Sequence, residues 1–396
     1  MKSFFREQKE AILGYLEKTA EEKAKDLSRV HPMGKEVVEK ILDFASRGKM
    51  LRGGLVGLGY VLYGGGPGKN ETGKGETDEN ETGKGVIGEG VTGKGVTGKN
   101  LGRRTAENEA VLAAGAAMEL FQSAFLIHDD IMDRDPMRRG APTVYSQYAE
   151  SAEAEGLADA EHVGEALGIC VGDISFFLAY EILAGGACED GKKNRCVPLL
   201  TLASRELSYV GVAQMLDVRW GNGADEVSEK DVLELYRYKT GRYTFSLPLS
   251  AGALLADAED SQRLHLERIG ELLGVVFQLR DDELGLFGDE KSLGKPIGSD
   301  IREGKRTPFY ISLMDRVDKE QRGKLLGIFG NKEAGEEDVE YVRSMIEDLG
   351  VRDEIIRTCE KLSREARLEM EALEGVDPEG YRILEDLLDY GLNRKN

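Results

Sequence analysis

Residues 119–145 read ELFQSAFLIHDDIMDRDPMRRGAPTVY. An apolar run drives directly into Asp129, Asp130 and Asp133, and Arg138 and Arg139 follow one short turn later. Positions four apart share a helix face, so Asp129 and Asp133 point the same way, with Asp130 beside them. Like charges at that spacing destabilise a helix unless something positive sits between them. Phe125, Leu126 and Ile127, just before, belong in a core rather than in water. Carboxylates crowded at the edge of a core call for a cation, and hard oxygen ligands suit Mg²⁺. Two guanidiniums close by then point to a phosphate as the metal's partner.

A second helical stretch, about 262–287, repeats the pattern: Gln278 leads into Asp281 and Asp282 at the end of an apolar run. Two facing helices, each presenting carboxylates, form the kind of multi-metal site that helix bundles build. The Glu-x-x-His pairing of di-iron bundles is missing, and His128 reads as a packing residue. Nearer the start, Lys49 and Arg52 lie three apart with glycines on both sides. Both can face one ligand from a helix start, and the glycines let the backbone approach an anion closely. Two solvated surface cations are the alternative there. Within residues 238–249, YKTGRYTFSLPL, Gly241 and Pro248 interrupt a helical pattern and predict a kink with Lys239 at its bend.

The chain has 396 residues, 40% of them hydrophobic, which is enough for a sizeable core. No apolar run approaches the ~20 residues of a membrane span. The start, MKSFFREQKEAILGYLEKTAEEK, reads as a charged amphipathic helix instead of a signal peptide. A cytosolic protein is therefore expected. Net charge is −20, a poor match for nucleic acid, where affinity comes from cationic phosphate contacts. An anionic substrate needs a locally basic pocket or a bound metal to offset that field. Cys170, Cys188, Cys196 and Cys359 show no zinc spacing and are expected as free thiols, although Cys188 and Cys196 flank a loop that a disulfide could close.

Residues 64–100 repeat Thr-Gly-Lys at 72, 82, 92 and 97 and contain almost no large apolar side chains. Such a segment cannot bury enough surface to offset its ordering entropy and reads as a surface insertion. Its recurring Gly-Lys does not fit a phosphate loop between a strand and a helix. Elsewhere helical periodicity dominates, and no series of alternating strands appears. The expected class is all-α, one domain, with helices packed around two acidic clusters.

Taken together these motifs resemble the trans-isoprenyl diphosphate synthases of the polyprenyl synthetase family. LIHDDIMD (126–133) with RRG (138–140) resembles the family's first Asp-rich motif. QLRDDELGLFGD (278–289) with GKPIGSDIREGKRT (294–307) resembles the second. GKMLRGG (48–54) is similar to the isopentenyl-diphosphate segment, and YKTGRYTFSLPL to the Lys-Thr helix kink. The resemblance spans about residues 40–310, in the family's order. It implies an isoprenoid-synthase helical bundle with a central catalytic cavity, occupying 1–396 apart from the 64–100 insertion, and usually a homodimer.

The resemblance also implies roles. Asp129 and Asp133 would hold two Mg²⁺ ions and Asp281 a third, with Asp130 and Asp282 in support. Arg138, Lys239 and Lys295 would contact the allylic diphosphate; Lys49, Arg52, Gln122 and Arg139 would hold isopentenyl diphosphate. Kink carbonyls near Lys239 and Thr240, with Gln278, would stabilise the allylic cation. Ala124 and Phe125, five and four positions before Asp129, would floor the product cavity and set a C15 to C20 product, farnesyl or geranylgeranyl diphosphate. One departure stands out: the second motif ends in Gly285, where many members carry Asp. It leaves room for a weakly active or regulatory subunit of a heteromeric enzyme. A class I terpene cyclase would share the fold but would not need Lys49 and Arg52.

Overall fold

The computed structural model describes residues 1–64, 108–189, 195–221, 223, 226–288 and 297–394. The Thr-Gly-Lys repeats and Lys295 lie outside these residues. The all-α expectation holds: among the described residues the sole sheet pairs β1 (Met137–Arg138) with β2 (Ala141–Pro142), a two-residue antiparallel ladder just after the first Asp cluster.

Helices α1 (Lys2–Leu27), α2 (Met33–Ser46) and α3 (Leu51–Gly64) form the N-terminal third. In α1 the buried residues Phe4, Gln8, Ile12 and Leu16 recur every fourth position, which makes one stripe facing the core. Helix α4 (Glu109–Asp133) is buried almost all round, and its run of alanines lets neighbours approach on every side. Asn108 caps its first turn by accepting from the Val111 N–H. The Asp cluster occupies the last turn of α4 rather than a following loop, and Arg134, in the left-handed region at φ 56, ends the helix.

Around α4 lie α5 (Val144–Ala154), α6 (Ala160–Glu189) and α7 (Cys196–Gly221). Then follow α8 (Glu229–Tyr236), a π-helical segment at Arg237–Ser246, α9 (Leu247–Leu255) and α10 (Asp260–Phe287). The predicted kink is thus a run of π-helix. Pro248 is the second residue of α9, directly after the π segment. The π segment lies hard against α10: a Cβ on Gly274 would come within 2.2 Å of Gly241 Cα, so neither position tolerates a side chain.

A second core, containing Val342, Val351 and Ile355, is built by α11 (Ser299–Arg302), α12 (Pro308–Met314), α13 (Lys319–Ile328), α14 (Glu336–Asp348) and α15 (Val351–Glu371). The last helix, α16 (Pro378–Leu392), packs beside α10 and delivers the chain end towards the second Asp cluster.

Two sequence expectations need correction. Glu109–Asp133 and Ala160–Gly186 are both long and apolar enough, by composition, to cross a bilayer. The first spends its apolar residues on the core, 78% of the window being buried; the second buries only 44% and leaves Ile169 and Phe177 exposed. Cys196 is disulfide-bonded instead of free, whereas Cys170 and Cys359 are free thiols.

Candidate active site

The ends of α4, α7 and α10, the π segment and the start of α3 surround a cavity of about 1140 Å³. That exceeds the ~300–1,000 Å³ of ordinary small-ligand sites and leaves room for a long apolar tail. A polar annex of about 330 Å³ adjoins it and shares Lys49, Lys239, Gln278 and Asp281 with it.

The first wall is the last turn of α4. Asp129 lines the large cavity and accepts a hydrogen bond from Gln214 Nε2 on α7 at 2.7 Å. Asp133, one turn on, has an exposed side chain and lines neither cavity; partial desolvation of its carboxyl group and the Asp129 charge push it up to about 6. Asp130 behaves differently. It is fully buried and ion-paired with the Arg138 guanidinium; burial pushes it to about 6, with Arg138 pulling the other way. Asp130 therefore anchors Arg138, which lines the large cavity, and is itself on neither cavity wall.

The second wall is α10. Asp281 is exposed to both cavities and accepts from Arg394 Nη1 at 2.7 Å, so the chain's end covers it. Asp282 is buried and accepts from the Tyr236 hydroxyl at 2.5 Å and from Gln278 Nε2 at 3.1 Å; burial and the Asp300 charge raise its pKa. Thr240 donates to Gln278 Oε1 at 3.0 Å. Thr240, Gln278, Asp282 and Tyr236 thus form one chain of hydrogen bonds that fixes the Gln278 amide. Lys239 is ion-paired with Asp217 of α7 at the mouth of the annex.

Gly285 has a structural account. A Cβ there would stand 3.2 Å from Asp300 Oδ2, so an Asp at 285 would press against a carboxylate already present. Asp300 is paired with Lys305 at 3.4 Å. Burial alone would lower the Lys305 pKa, but Asp300 and Glu303 outweigh it and raise it.

The third station is cationic. Met50, at φ 52, turns the chain sharply between Lys49 and α3, and Arg139 adopts φ 52 in the β1–β2 turn. Non-glycine residues in that region are strained, and such strain clusters at ligand sites. Arg52 donates to Thr244 Oγ1 at 2.6 Å and lies 4.6 Å from the Tyr243 ring centre. Burial lowers the Arg139 pKa, and the like charges of Arg138 and Arg52 lower it further. Glu119, buried at 5% exposure, accepts from the Gly53 N–H at 2.7 Å and ties the start of α3 to α4. Lys49, Gln122 and Arg139 complete this corner of the large cavity.

Phe125 lines the large cavity, its ring held edge-on between Phe176 and Tyr243 at centroid distances of 4.9 and 5.3 Å. Ala124 is fully buried within the helix packing and is not on the cavity wall. Sequence reasoning assigned no role to Glu119, Thr244, Tyr243, Asp300, Lys305 or Arg394. Gln214 and Asp217 carried a usable signal, polar residues three apart at the end of an apolar helix, the same kind that marked Asp129 and Asp133.

Among the described residues no three His, Cys, Asp or Glu side chains converge on a ready-made metal cage. The carboxylates instead form two facing walls. That arrangement fits Mg²⁺, which is held by one or two carboxylates together with substrate phosphates.

The sequence pattern of the polyprenyl synthetase family matches residues 90–346, more than half of the chain. Among curated proteins, the chain is 37% identical over 231 residues to a short chain isoprenyl diphosphate synthase from Methanocaldococcus jannaschii, 58% of this chain and 64% of that protein. It is 32% identical over 286 residues to the geranylgeranyl diphosphate synthase of Methanosarcina mazei, 72% of this chain and 80% of that protein. Among solved structures, a geranylgeranyl pyrophosphate synthase from Corynebacterium glutamicum, complexed with isoprenyl diphosphate and magnesium, superposes with a TM-score of 0.81 at 26% identity, covering 98% of this chain and 99% of that one.

Proposed function

Because the chain belongs to the polyprenyl synthetase family, we propose that it is a Mg²⁺-dependent trans-prenyltransferase condensing isopentenyl diphosphate with an allylic diphosphate. We read residues 1–396 as one domain of that family with an insertion at 64–100. One observation carries the reading. Two separate stations for anions open on one apolar cavity: carboxylates with Lys239 at one, and Lys49, Arg52 and Arg139 at the other. A cyclase acting on a single diphosphate has no use for the second station.

Asp129 and Asp281, which line the large cavity, would hold Mg²⁺ together with Asp133, and the metal would offset the charge that develops on the leaving diphosphate. Lys239 and Arg138 bind the same diphosphate from the protein side, each oriented by a carboxylate of its own, Asp217 and Asp130. Heterolysis of the allylic C–O bond releases diphosphate and leaves an allylic cation inside a cavity whose apolar wall excludes water. The Thr240–Gln278 pair faces that space, its amide held in one orientation. Lys49, Arg52, Gln122 and Arg139 hold isopentenyl diphosphate so that its double bond attacks the cation and forms the new C–C bond. A proton then leaves the adduct for the released diphosphate, which restores the double bond. No side-chain nucleophile takes part.

The named relatives support a short-chain product, which we place at C15 to C20 with Phe125 in the cavity wall. Phe177, Val197 and Val212 are exposed on the neighbouring helices α6 and α7, at 72, 69 and 59%. A face that apolar suits a second copy, and we read the protein as a homodimer through it. The test is incubation of purified protein with Mg²⁺, isopentenyl diphosphate and each allylic primer. Elongated prenyl diphosphates are expected, and no elongation with any primer would sink the reading.

A further inference from the structure

Helix α7 supplies the wall of the large cavity that adjoins the end of α4, and its cavity-lining positions include Gly211, Gln214 and Val218. The depth of each position follows from the hydrogen bond that joins the two walls. Gln214 reaches Asp129 across the mouth, so these two residues stand level. Towards the interior, Phe125 lies four residues before Asp129, roughly 6 Å deeper along its helix. Gly211 lies three residues before Gln214, roughly 4.5 Å deeper along the other. Phe125 and Gly211 therefore stand at nearly the same depth on two walls of one cavity, one turn below the carboxylates.

The two positions differ in what they leave open. The Phe125 ring is fixed by Phe176 and Tyr243 and cannot swing aside without breaking both edge-to-face contacts. On the α7 wall at that depth, a Cβ built on Gly211 meets nothing within 4 Å. The half-buried helix interior gives no backbone reason for glycine at this position, because α7 is regular there and glycine costs about 1 kcal/mol against alanine. The glycine leaves an opening at the depth where Phe125 narrows the cavity.

We infer that Gly211 is a specificity-determining position: its missing side chain is the gap through which the growing prenyl tail passes Phe125, and it sets the product length together with that ring. This inference rests on the prenyl-transfer reading. A Leu at 211 fills the gap and stops elongation at about the level of Phe125, whereas a smaller residue at 125 widens the same passage from the other side.

The experiment follows product lengths by mass spectrometry for the parent, Gly211→Ala, Gly211→Leu, Phe125→Ala and the double variant Phe125→Ala/Gly211→Leu, each given Mg²⁺, isopentenyl diphosphate and a short allylic primer. In Gly211→Leu the ratio of later condensations to the first should fall by about tenfold or more, since small steric changes in an apolar pocket discriminate by that order. Gly211→Ala should shift in the same direction by less. Phe125→Ala should lengthen the products, and the double variant should lie between the two single ones. Melting temperatures report folding separately; the glycine replacements should not lower them. A parent that elongates while Gly211→Leu and Gly211→Ala give its unchanged length distribution overturns this inference alone. Equal loss of first and later condensations in both variants also overturns it. A parent that elongates no primer overturns the prenyl-transfer reading instead.

Discussion

Arg242 offers the sharpest test of how the site is held. It lies in the π segment two residues after Thr240, and its guanidinium is 12% exposed. It donates from Nε and Nη2 to both oxygens of Glu206 on α7, each at 2.7 Å, and from Nη1 to Glu271 on α10. Those carboxylates are 2% and 5% exposed. One side chain thus joins the three elements that carry Asp217, Lys239 and Asp281. Replacing it with Met leaves two buried carboxylates short of a partner, a change that costs about 3–5 kcal/mol where no other cation is near. Here Arg205 still reaches Glu206, and Arg237 and Arg268 still reach Glu271, so the lower end, about 3 kcal/mol, is expected. With an unfolding entropy of ~2.1 cal/mol/K per residue, a chain of this size melting as one unit should lose about 4 °C. Thermal unfolding followed by circular dichroism without metal measures it. Adding Glu206→Gln to Arg242→Met removes one orphaned charge and should recover about half of the loss. A fall of less than about 1 °C, or no recovery in the double variant, would refute the idea that this network holds the segment.

Three further outcomes are expected. Arg52→Ala should raise KM for isopentenyl diphosphate by about tenfold or more, the value of one charge-assisted contact, while KM for the allylic primer changes little; initial-rate kinetics with each substrate varied separately decide this. Burial pushes Asp130 and Asp133 up to about 6, above the ~3.9 of an unfolded Asp. The metal-free fold therefore keeps protons that the unfolded chain has released, so these groups contribute stability below about pH 4 that is lost as pH rises through about 6. Mg²⁺ requires the ionised carboxylate, and the rise in melting temperature on adding it should be larger near pH 8 than near pH 5; an equal rise at both would contradict this. Deleting residues 66–98 should leave kcat/KM within about twofold, because a sequence so poor in large apolar side chains has little to contribute to a core.

The fold and both Asp clusters were legible because periodicity and charge point the same way in α4 and α10: long apolar runs that end in carboxylates. Rotation about the helix axis was not legible. Spacing relates Asp129 to Asp133, but it does not say that Asp130 faces Arg138 or that Ala124 turns into the packing. A step of one residue is about 100° on a helix, enough to move a side chain from cavity to core. The π segment was readable only as a kink, since its geometry depends on the Arg242 network and on the close approach of Gly241 to Gly274. Gly285 looked like a defect until Asp300, fifteen residues away in sequence, was seen beside it. Arg394 carried no signal, because nothing local to it indicates that α16 returns the chain end to Asp281.

The central claim is that two diphosphates are bound at separate stations and joined. Its most direct test is to supply isotopically labelled isopentenyl diphosphate with an allylic primer and Mg²⁺, and to identify what forms. The account predicts a labelled prenyl diphosphate at least one isoprene unit longer than the primer, with one diphosphate released per unit added. Cyclic hydrocarbon from the allylic diphosphate alone, with no label incorporated, would contradict it.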